Sequence, residues 1–259
     1  MGAETLSDNV RLYCADCLDV IPTLGPVDHV IGDPPYEQHM HDAKQRRSRK
    51  LRADGAAELE AIDFSSVEAI RAPVTAALVE RCSGWLIAFC TPEGVAPWRD
   101  AIEAAGARYK RACIWVKPDS APQFNGQGPA MGAECFVTAW CGKGFSSWNE
   151  GGGRNVFTHL TNQADRHGEH PTEKPISLMC EIVEKFTNPG DMVLDPFMGS
   201  GSTGVAAVRL GRRFIGIERD RRYFDIAAER ISDALARPDM FVPLPAAPKQ
   251  IQLFEGASK

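Results

Sequence analysis

Residues 193–204 read VLDPFMGSGSTG and combine a short apolar strand, a glycine-rich turn and the start of a helix. The spacing Gly199-x-Gly201-x-x-Gly204 matches the fingerprint of a nucleotide-binding βαβ unit. Glu218 ends the next predicted strand, FIGIE, where a carboxylate can accept hydrogen bonds from ribose hydroxyls. The stretch therefore predicts a nucleoside-binding site on an α/β fold.

Asp195 stands at the mouth of this turn and indicates which nucleoside binds there. A carboxylate in that place repels a pyrophosphate, which prefers bare backbone N–H groups at a helix N-terminus. It suits a ligand that carries an ammonium, a sulfonium and a ribose but no phosphate. We therefore predict S-adenosylmethionine as the cofactor, and a nicotinamide-dependent oxidoreductase is the more distant alternative.

Outward from this stretch, apolar runs that end at Gly, Pro or Asp alternate with helical patterns. The predicted strands are residues 10–13, 28–31, 85–90, 112–116, 135–140, 192–194 and 214–217. The predicted helices are residues 65–82, 94–105, 175–186, 202–210 and 222–236. This alternation predicts a Rossmann-like α/β fold, in which helices cover both faces of a mostly parallel sheet.

The same pattern predicts one catalytic domain over residues 1–236, followed by a Pro-rich tail over 237–259. Two long polar segments, at about 37–62 and 142–170, interrupt the alternation. Loops of this length in a compact domain usually have a function. We interpret both as insertions that contact a macromolecular partner.

A second motif, Asp33-Pro34-Pro35-Tyr36, directly follows a predicted strand. Two prolines hold the backbone extended and keep it out of a helix. The Asp33 carboxylate, the Pro34 carbonyl and the Tyr36 ring are thus presented together at the carboxyl end of a strand, where ligands bind in open α/β sheets. We therefore predict that these four residues form the catalytic site.

DPPY upstream of DPFxGSGST resembles the amino-DNA methyltransferases, and the order of the two motifs resembles their circularly permuted β subgroup. The resemblance covers nearly the whole chain, including 115–117 (WVK), 149–153 (NEGGG) and 170–175 (HPTEKP). It implies methyl transfer from S-adenosylmethionine to an exocyclic amine of a base flipped out of duplex DNA. Family members that methylate adenine tend to begin the tetrapeptide with Asp, so Asp33 favours the N6 amine of adenine, and N4-cytosine methylation is the alternative.

The resemblance also implies roles for further residues: Asp16 contacts the adenine of the cofactor, while Thr172 and Lys174 approach its methionine carboxylate. The predicted cofactor-binding residues are Asp16, Cys17, Asp33, His170, Thr172, Lys174, Asp195, Pro196, Phe197, Gly199, Ser200, Gly201, Ser202 and Glu218. No metal site is predicted, because the close pair Cys14 and Cys17 has no second pair at matching spacing.

Charge indicates where DNA would bind. The chain has 29 basic and 34 acidic residues, a net charge of −5, so a general attraction to nucleic acid is not expected. Residues 43–53, close behind DPPY, nevertheless contain no acid and six basic residues: Lys44, Arg46, Arg47, Arg49, Lys50 and Arg52. We predict that these six contact the phosphates of double-stranded DNA, and that Trp148, Asn149 and Arg154 take part in recognition.

The sequence also indicates partners and a location for the protein. The resemblance implies a homodimer and a setting in restriction–modification. The pentapeptide QIQLF, from Gln250 to Phe254, resembles the short peptides by which bacterial DNA enzymes bind the sliding clamp. No apolar run approaches the roughly 20 residues of a membrane span, and the scattered cysteines favour a reducing cytoplasm.

Overall fold

The computed structural model describes residues 3–35, 67–122, 126–162 and 173–237, and within them nine strands form one sheet. The strands are β1 (Ala3–Ser7), β2 (Val10–Cys14), β3 (His29–Gly32), β4 (Trp85–Cys90), β5 (Arg108–Val116), β6 (Ala133–Trp140), β7 (Val156–Thr158), β8 (Met192–Asp195) and β9 (Arg213–Glu218). Their order across the sheet is β1-β2-β9-β8-β3-β4-β6-β5-β7.

Helices connect most of these strands. They are α1 (Cys17–Val20), α2 (Val67–Arg81), α3 (Val95–Ala104), α4 (Ile176–Phe186), α5 (Ser202–Arg209) and α6 (Arg221–Ala236). A short 3-10 turn, Ile21–Thr23, follows α1. No helix in the described ranges has the length and apolar character of a membrane span.

The sheet is mostly parallel, which confirms the predicted fold class. The run β2-β9-β8-β3-β4 is parallel throughout, and β7 runs parallel to β5. Only β1 against β2 and β6 against its two neighbours are antiparallel. The first predicted strand lies beside the strand that ends at Glu218, as the permuted motif order implies, because Cys14 pairs with Glu218.

Two hydrophobic cores cover the two faces of the sheet. Successive side chains of a strand point to opposite faces, so Ile87 joins the core under α4, α5 and α6 while Leu86 joins the core under α1, α2 and α3. The central strands β3 and β4 are buried along their whole length. This burial explains why β4 and the residues of β3 after His29 form continuous apolar runs rather than alternating ones.

Three elements were not predicted: β1, β7 and α1. The sequence of β1, AETLS, is polar, and three of its five residues are exposed at the edge of the sheet. β7 has only three residues, and α1 has only four. In addition, β5 begins at Arg108, four residues before the predicted start at 112, because its first half pairs with the end of β6.

Candidate active site

The two motifs that the sequence singles out lie side by side in the structure. β3 and β8 are neighbouring parallel strands, with Val30 opposite Leu194, so the residues that follow them meet at the carboxyl edge. The approach is close: a Cβ added to Gly32 would lie 3.1 Å from Cδ of Pro196 and 3.6 Å from Oδ1 of Asp195. A glycine before Asp33 therefore lets the DPP and DPF segments share one site.

The glycine-rich turn after β8 has the conformation that the fingerprint predicts. Gly199 and Gly201 have φ values of +52° and +86°, in the region that side chains other than glycine rarely adopt. Glu218 closes the turn, because its carboxylate accepts hydrogen bonds from the backbone N–H of Gly199 at 2.9 Å and of Asp220 at 2.8 Å. The hydrogen bond from Gly199 therefore ties the turn to the end of β9.

Asp195 is a buried carboxylate at the mouth of this turn, with 2% of its surface exposed. Burial raises its pKa to about 7, although hydrogen bonds from Thr203 and from the N–H of Phe197 oppose the rise. The charges of Asp33 and Glu218 raise it further. Asp195 and Glu218 thus lie at the ends of the neighbouring strands β8 and β9, and their preference for a cation over a phosphate stays a prediction.

Asp33 lies at the other side of the site and has two differently placed oxygens. Its Oδ2 accepts a hydrogen bond from Nζ of Lys174 at 2.5 Å. Its Oδ1 is buried, and none of the residues that the structure describes donates to it. Burial raises the pKa of Asp33, and the carboxylate of Glu134 adds to the rise, while Lys174 and Lys117 oppose it.

Lys174 lies in a buried cluster with two carboxylates. Its ammonium is buried between Asp33 and Glu134, 3.4 Å from Oε2 of Glu134, and 4.9 Å from the centre of the Phe89 ring. Burial lowers its pKa, but the two carboxylates outweigh burial and raise it overall. Lys174 therefore belongs to the Asp33 side of the site, and its contact with a methionine carboxylate stays a prediction.

Two residues of the site were missed by sequence reasoning. Glu134, at the start of β6, joins the cluster around Asp33. Arg230 of α6 donates to the carbonyl and hydroxyl oxygens of Ser200 and to Glu173, and so ties the glycine-rich turn to the segment that carries Lys174. Neither residue lies in a recognisable motif, because both reach the site through strand register and helix packing.

Asp16 and Cys17 lie next to the end of β9, as predicted. The backbone N–H of Ala15 donates to the carbonyl of Glu218 at 3.1 Å, and Asp16 caps α1 through the N–H of Leu18. Burial raises the pKa of the Cys17 thiol to about 12, so the thiol stays protonated at neutral pH.

Within the described ranges, no group of three metal-ligating side chains is present.

Trp148 and Asn149 have packing roles that the sequence did not predict. The amide of Asn149 donates to the carbonyl oxygens of Glu184 and Thr187 at the end of α4, and the Trp148 ring lies 4.7 Å from that of Phe186. Lys174 directly precedes the first turn of α4, so these contacts lie at the opposite end of the helix. These contacts hold both residues against the end of α4. Asn149 and Arg154 are exposed and Trp148 is half-buried, and the role of all three in DNA recognition stays a prediction.

Several predicted residues lie outside the described ranges. They are Tyr36, the basic residues Lys44, Arg46, Arg47, Arg49, Lys50 and Arg52, the cofactor candidates His170 and Thr172, and the segment from Gln250 to Phe254. Their proposed roles rest on the sequence. Pro34 and Pro35 are described, and Pro34 is buried directly after Asp33.

A family model described as DNA methylase, N6_N4_Mtase, matches residues 27–229. Among curated relatives, the Type II methyltransferase M2.DpnII of Streptococcus pneumoniae is 49% identical over 80 residues, which are 30% of this chain and 30% of that protein. Matches to the first curated relatives span only 30% to 54% of their lengths.

Solved structures match over more of the chain. The crystal structure of M1.HpyAVI in complex with SAM has a TM-score of 0.66 and 28% identity, and the match covers 86% of this chain and 98% of that one. The PvuII DNA methyltransferase, described as cytosine-N4-specific, has a TM-score of 0.63 and 14% identity over 89% of this chain and 93% of that one. At that identity, the second match shows a shared fold alone.

Proposed function

This chain belongs to the N6/N4 DNA methylase family, and from that premise we propose that it transfers a methyl group from S-adenosylmethionine to the exocyclic N6 amine of adenine in DNA. Adenine is favoured because Asp33 begins the tetrapeptide. The fold is also that of a cytosine-N4-specific enzyme. The choice between the two amines is therefore what the experiment below must decide.

Asp33 is the residue on which this proposal rests. Its Oδ1 is a buried acceptor to which no described residue donates, while its Oδ2 is held by Lys174. Buried polar atoms are nearly always hydrogen-bonded in functional complexes, and an exocyclic amine brings the N–H groups that Oδ1 can accept. Asp33 is thus oriented as an acceptor for a substrate amine.

The amine of adenine is a weak nucleophile because its lone pair is delocalised into the ring. Hydrogen bonds from its N–H groups to Asp33 and to the Pro34 carbonyl draw the nitrogen toward a tetrahedral geometry. The same two acceptors stabilise the positive charge that develops on the nitrogen. Because a paired base is out of reach inside the duplex, the base is flipped out, and we propose that Tyr36 stacks on it.

The polar side chains at the glycine-rich turn and at the end of β9 fit S-adenosylmethionine. Asp195 and Glu218 present carboxylates to a ligand with hydroxyls and a positive charge, and the hydroxyl of Ser202 is buried with no partner among the described residues. When bound, the cofactor supplies a methyl group that is activated by its sulfonium. We assign Asp195, Glu218 and Ser202 to holding it, together with Asp16 beside the end of β9.

Expression in a host that lacks DNA methylation tests the proposal. Digestion of the host DNA and mass analysis of the nucleosides should reveal N6-methyladenine. N4-methylcytosine as the sole product would assign the alternative, and unmodified DNA would refute DNA methylation. A parallel titration of the purified protein with S-adenosylmethionine and with NAD distinguishes a methyltransferase from an oxidoreductase. A methyltransferase should bind S-adenosylmethionine, whereas the oxidoreductase alternative predicts binding of NAD.

The partners beyond DNA are also proposals. We propose a homodimer, which light scattering checks against the 28.3 kDa mass of one chain. The segment from Gln250 to Phe254 is proposed to bind a sliding clamp, and a pull-down that compares the full chain with a chain ending at Pro248 tests this.

We also propose a cytoplasmic location. All eight cysteines lie within the described ranges, and each is a free thiol there.

A further inference from the structure

Glu134 links two lysines at the catalytic edge of the sheet. Its Oε1 accepts a hydrogen bond from Lys117, and its Oε2 lies 3.4 Å from the ammonium of Lys174. The side chains are mostly buried, with exposed fractions of 12% for Glu134, 13% for Lys117 and 6% for Lys174. Such burial makes the ion pairs less screened than surface pairs, so each charge affects its neighbours strongly.

The hairpin of β5 and β6 fixes the position of Glu134. Trp115 and Glu134 are paired in register, and the N–H of Lys117 donates to the carbonyl of Gly132 at 2.8 Å. The ammonium of Lys117 also lies 4.5 Å from the centre of the Trp115 ring. Glu134 is therefore anchored by its strand and by Lys117 and cannot easily follow Lys174 if that residue moves.

The four charges alternate in sign, in the order Asp33, Lys174, Glu134, Lys117, and they sum to zero. Glu134 and Oδ2 of Asp33 both contact the ammonium of Lys174. Without Glu134, the ammonium of Lys174 would lose the carboxylate that faces Asp33 across it, and the attraction of Asp33 would draw the ammonium closer to both Asp33 oxygens. Oδ1 would then no longer be available to a substrate amine.

We propose that Glu134 is a positioning residue for methyl transfer: it holds Lys174 on Oδ2 of Asp33, keeps Oδ1 open for the amine, and balances the positive charge of the two lysines. This inference rests on the proposed function. The charge balance matters because methyl transfer moves positive charge onto the amine. A surplus cation close to Asp33 would raise the energy of that transition state.

The variant E134Q tests the proposal, because it keeps the shape of the side chain and removes its charge. We expect the single-turnover rate of methyl transfer to fall about 10- to 100-fold, the size of effect that a displaced catalytic group produces. The dissociation constants for cofactor and for DNA should stay within about twofold of wild type. E134D keeps the charge on a side chain that is one methylene shorter. Its rate should lie between those of wild type and E134Q.

E181Q is the matched control. Glu181 is half-buried and has two close partners, His159 at 2.5 Å and Lys185 at 2.6 Å, and none of these three residues contacts the Asp33 cluster described above. Its loss removes an ion pair of similar kind, so the thermal midpoint should fall. The single-turnover rate of E181Q should equal that of wild type.

The pH profile gives a readout that a merely structural role would not move. The groups that act on Asp33 are Lys174, Glu134 and Lys117 from this cluster, and Asp195 from the cofactor turn. Because the charge of Glu134 raises the pKa of Asp33, its removal lowers that pKa. The acid limb of the rate profile should therefore move to lower pH in E134Q and should stay in place in E134D and E181Q.

Three results would overturn the proposal. The first is a wild-type rate in E134Q. The second is an equal loss of rate, cofactor affinity and thermal midpoint in E134Q without a shift of the acid limb, which would make Glu134 a structural residue. If E134Q does not fold, a wild-type rate in E134D would count against the role in the same way. Absence of DNA methylation by the wild-type protein would instead refute the proposed function.

Discussion

Asp33 divides two tasks between its two carboxylate oxygens, since Oδ2 binds Lys174 and Oδ1 faces no donor among the described residues. The variant D33A removes both acceptors and leaves the glycine-rich turn intact. We expect methyl transfer to fall at least about 100-fold, because the loss of one preorganised hydrogen-bonding group at a reacting centre already has an effect of this size. Transfer of labelled methyl groups to DNA measures the rate.

The control for D33A is cofactor binding, measured by calorimetry on the same preparation. The contacts of Asp195 and Glu218 do not involve Asp33 directly, so the dissociation constant should change little. Turnover near the wild-type level in D33A would remove Asp33 from the catalytic site. A parallel loss of cofactor affinity would mean that the two motifs cannot be separated functionally.

Asp195 should make cofactor binding depend on pH. Its pKa is raised to about 7 by burial, so part of the population is neutral at neutral pH before a ligand binds. A cationic ligand binds the carboxylate and lowers that pKa, and binding therefore releases a proton. Affinity should rise with pH and level off above about 7, with at most a tenfold change per pH unit below that value.

Calorimetry in two buffers of different ionisation enthalpy would detect the released proton directly. The variant D195N supplies the comparison, since an amide does not titrate in this range. D195N should bind more weakly than wild type and should show no rise of affinity between about pH 5.5 and 7. An equal pH dependence in both proteins would assign the effect to another group.

At the scale of elements, the packing of α5 against α6 and β9 leaves no room for a side chain at Gly204. A Cβ there would lie 2.4 Å from Cδ1 of Ile231 and 2.7 Å from Cε1 of Phe214. The variant G204A should therefore overpack this contact and lower the free energy of unfolding by about 1–3 kcal/mol. Urea unfolding measures the change, and G25A is the control, because a Cβ on Gly25 would meet nothing within 4 Å.

The elements that the sequence predicts well are those with a strong local pattern. β4 and β8 are buried strands in the middle of the sheet, and α4 has an apolar face that ends before Asn188 and Pro189. β7 depends on its neighbour instead: Val156 and Thr158 are exposed, and only Phe157 is buried. Three residues at a sheet edge contain too little pattern to be separated from a loop.

Residues of the candidate active site also differ in whether a local sequence pattern predicts their position. Asp33 and Asp195 come directly after or at the ends of readable strands, so their meeting at one edge follows from the sequence. Glu134 and Arg230 reach the site through the register of a hairpin and the packing of a helix. Asn149, whose residue type suggested base recognition, caps α4 because the loop folds back onto it. Such long-range contacts are not encoded in any local pattern.

For the whole molecule, the distribution of charge matters more than its total. The net charge is −5, yet residues 43–53 contain six basic residues and no acid. Attraction to DNA should therefore be local and strongly dependent on salt, because each phosphate contact releases counterions. Away from a cognate site, the acidic remainder of the chain should keep binding weak.

Replacing Arg46, Arg47 and Arg49 together by Gln tests this distribution. The DNA concentration needed for half-maximal activity should rise. The slope of log affinity against log salt should become shallower by about 0.9 for each arginine that contacts a phosphate of the duplex. Cofactor affinity should not change, because we assign the cofactor to Asp195 and Glu218, which belong to other segments of the chain.

A second triple variant, in which Arg11, Arg99 and Arg222 become Gln, changes the net charge by the same amount at exposed positions elsewhere. If position rather than total charge attracts DNA, this variant should keep both the wild-type half-maximal DNA concentration and the wild-type salt slope. Equal weakening in the two triple variants would mean that net charge governs binding. The basic run after DPPY would then be a solvated surface, and phosphate contacts would have to be sought on other elements.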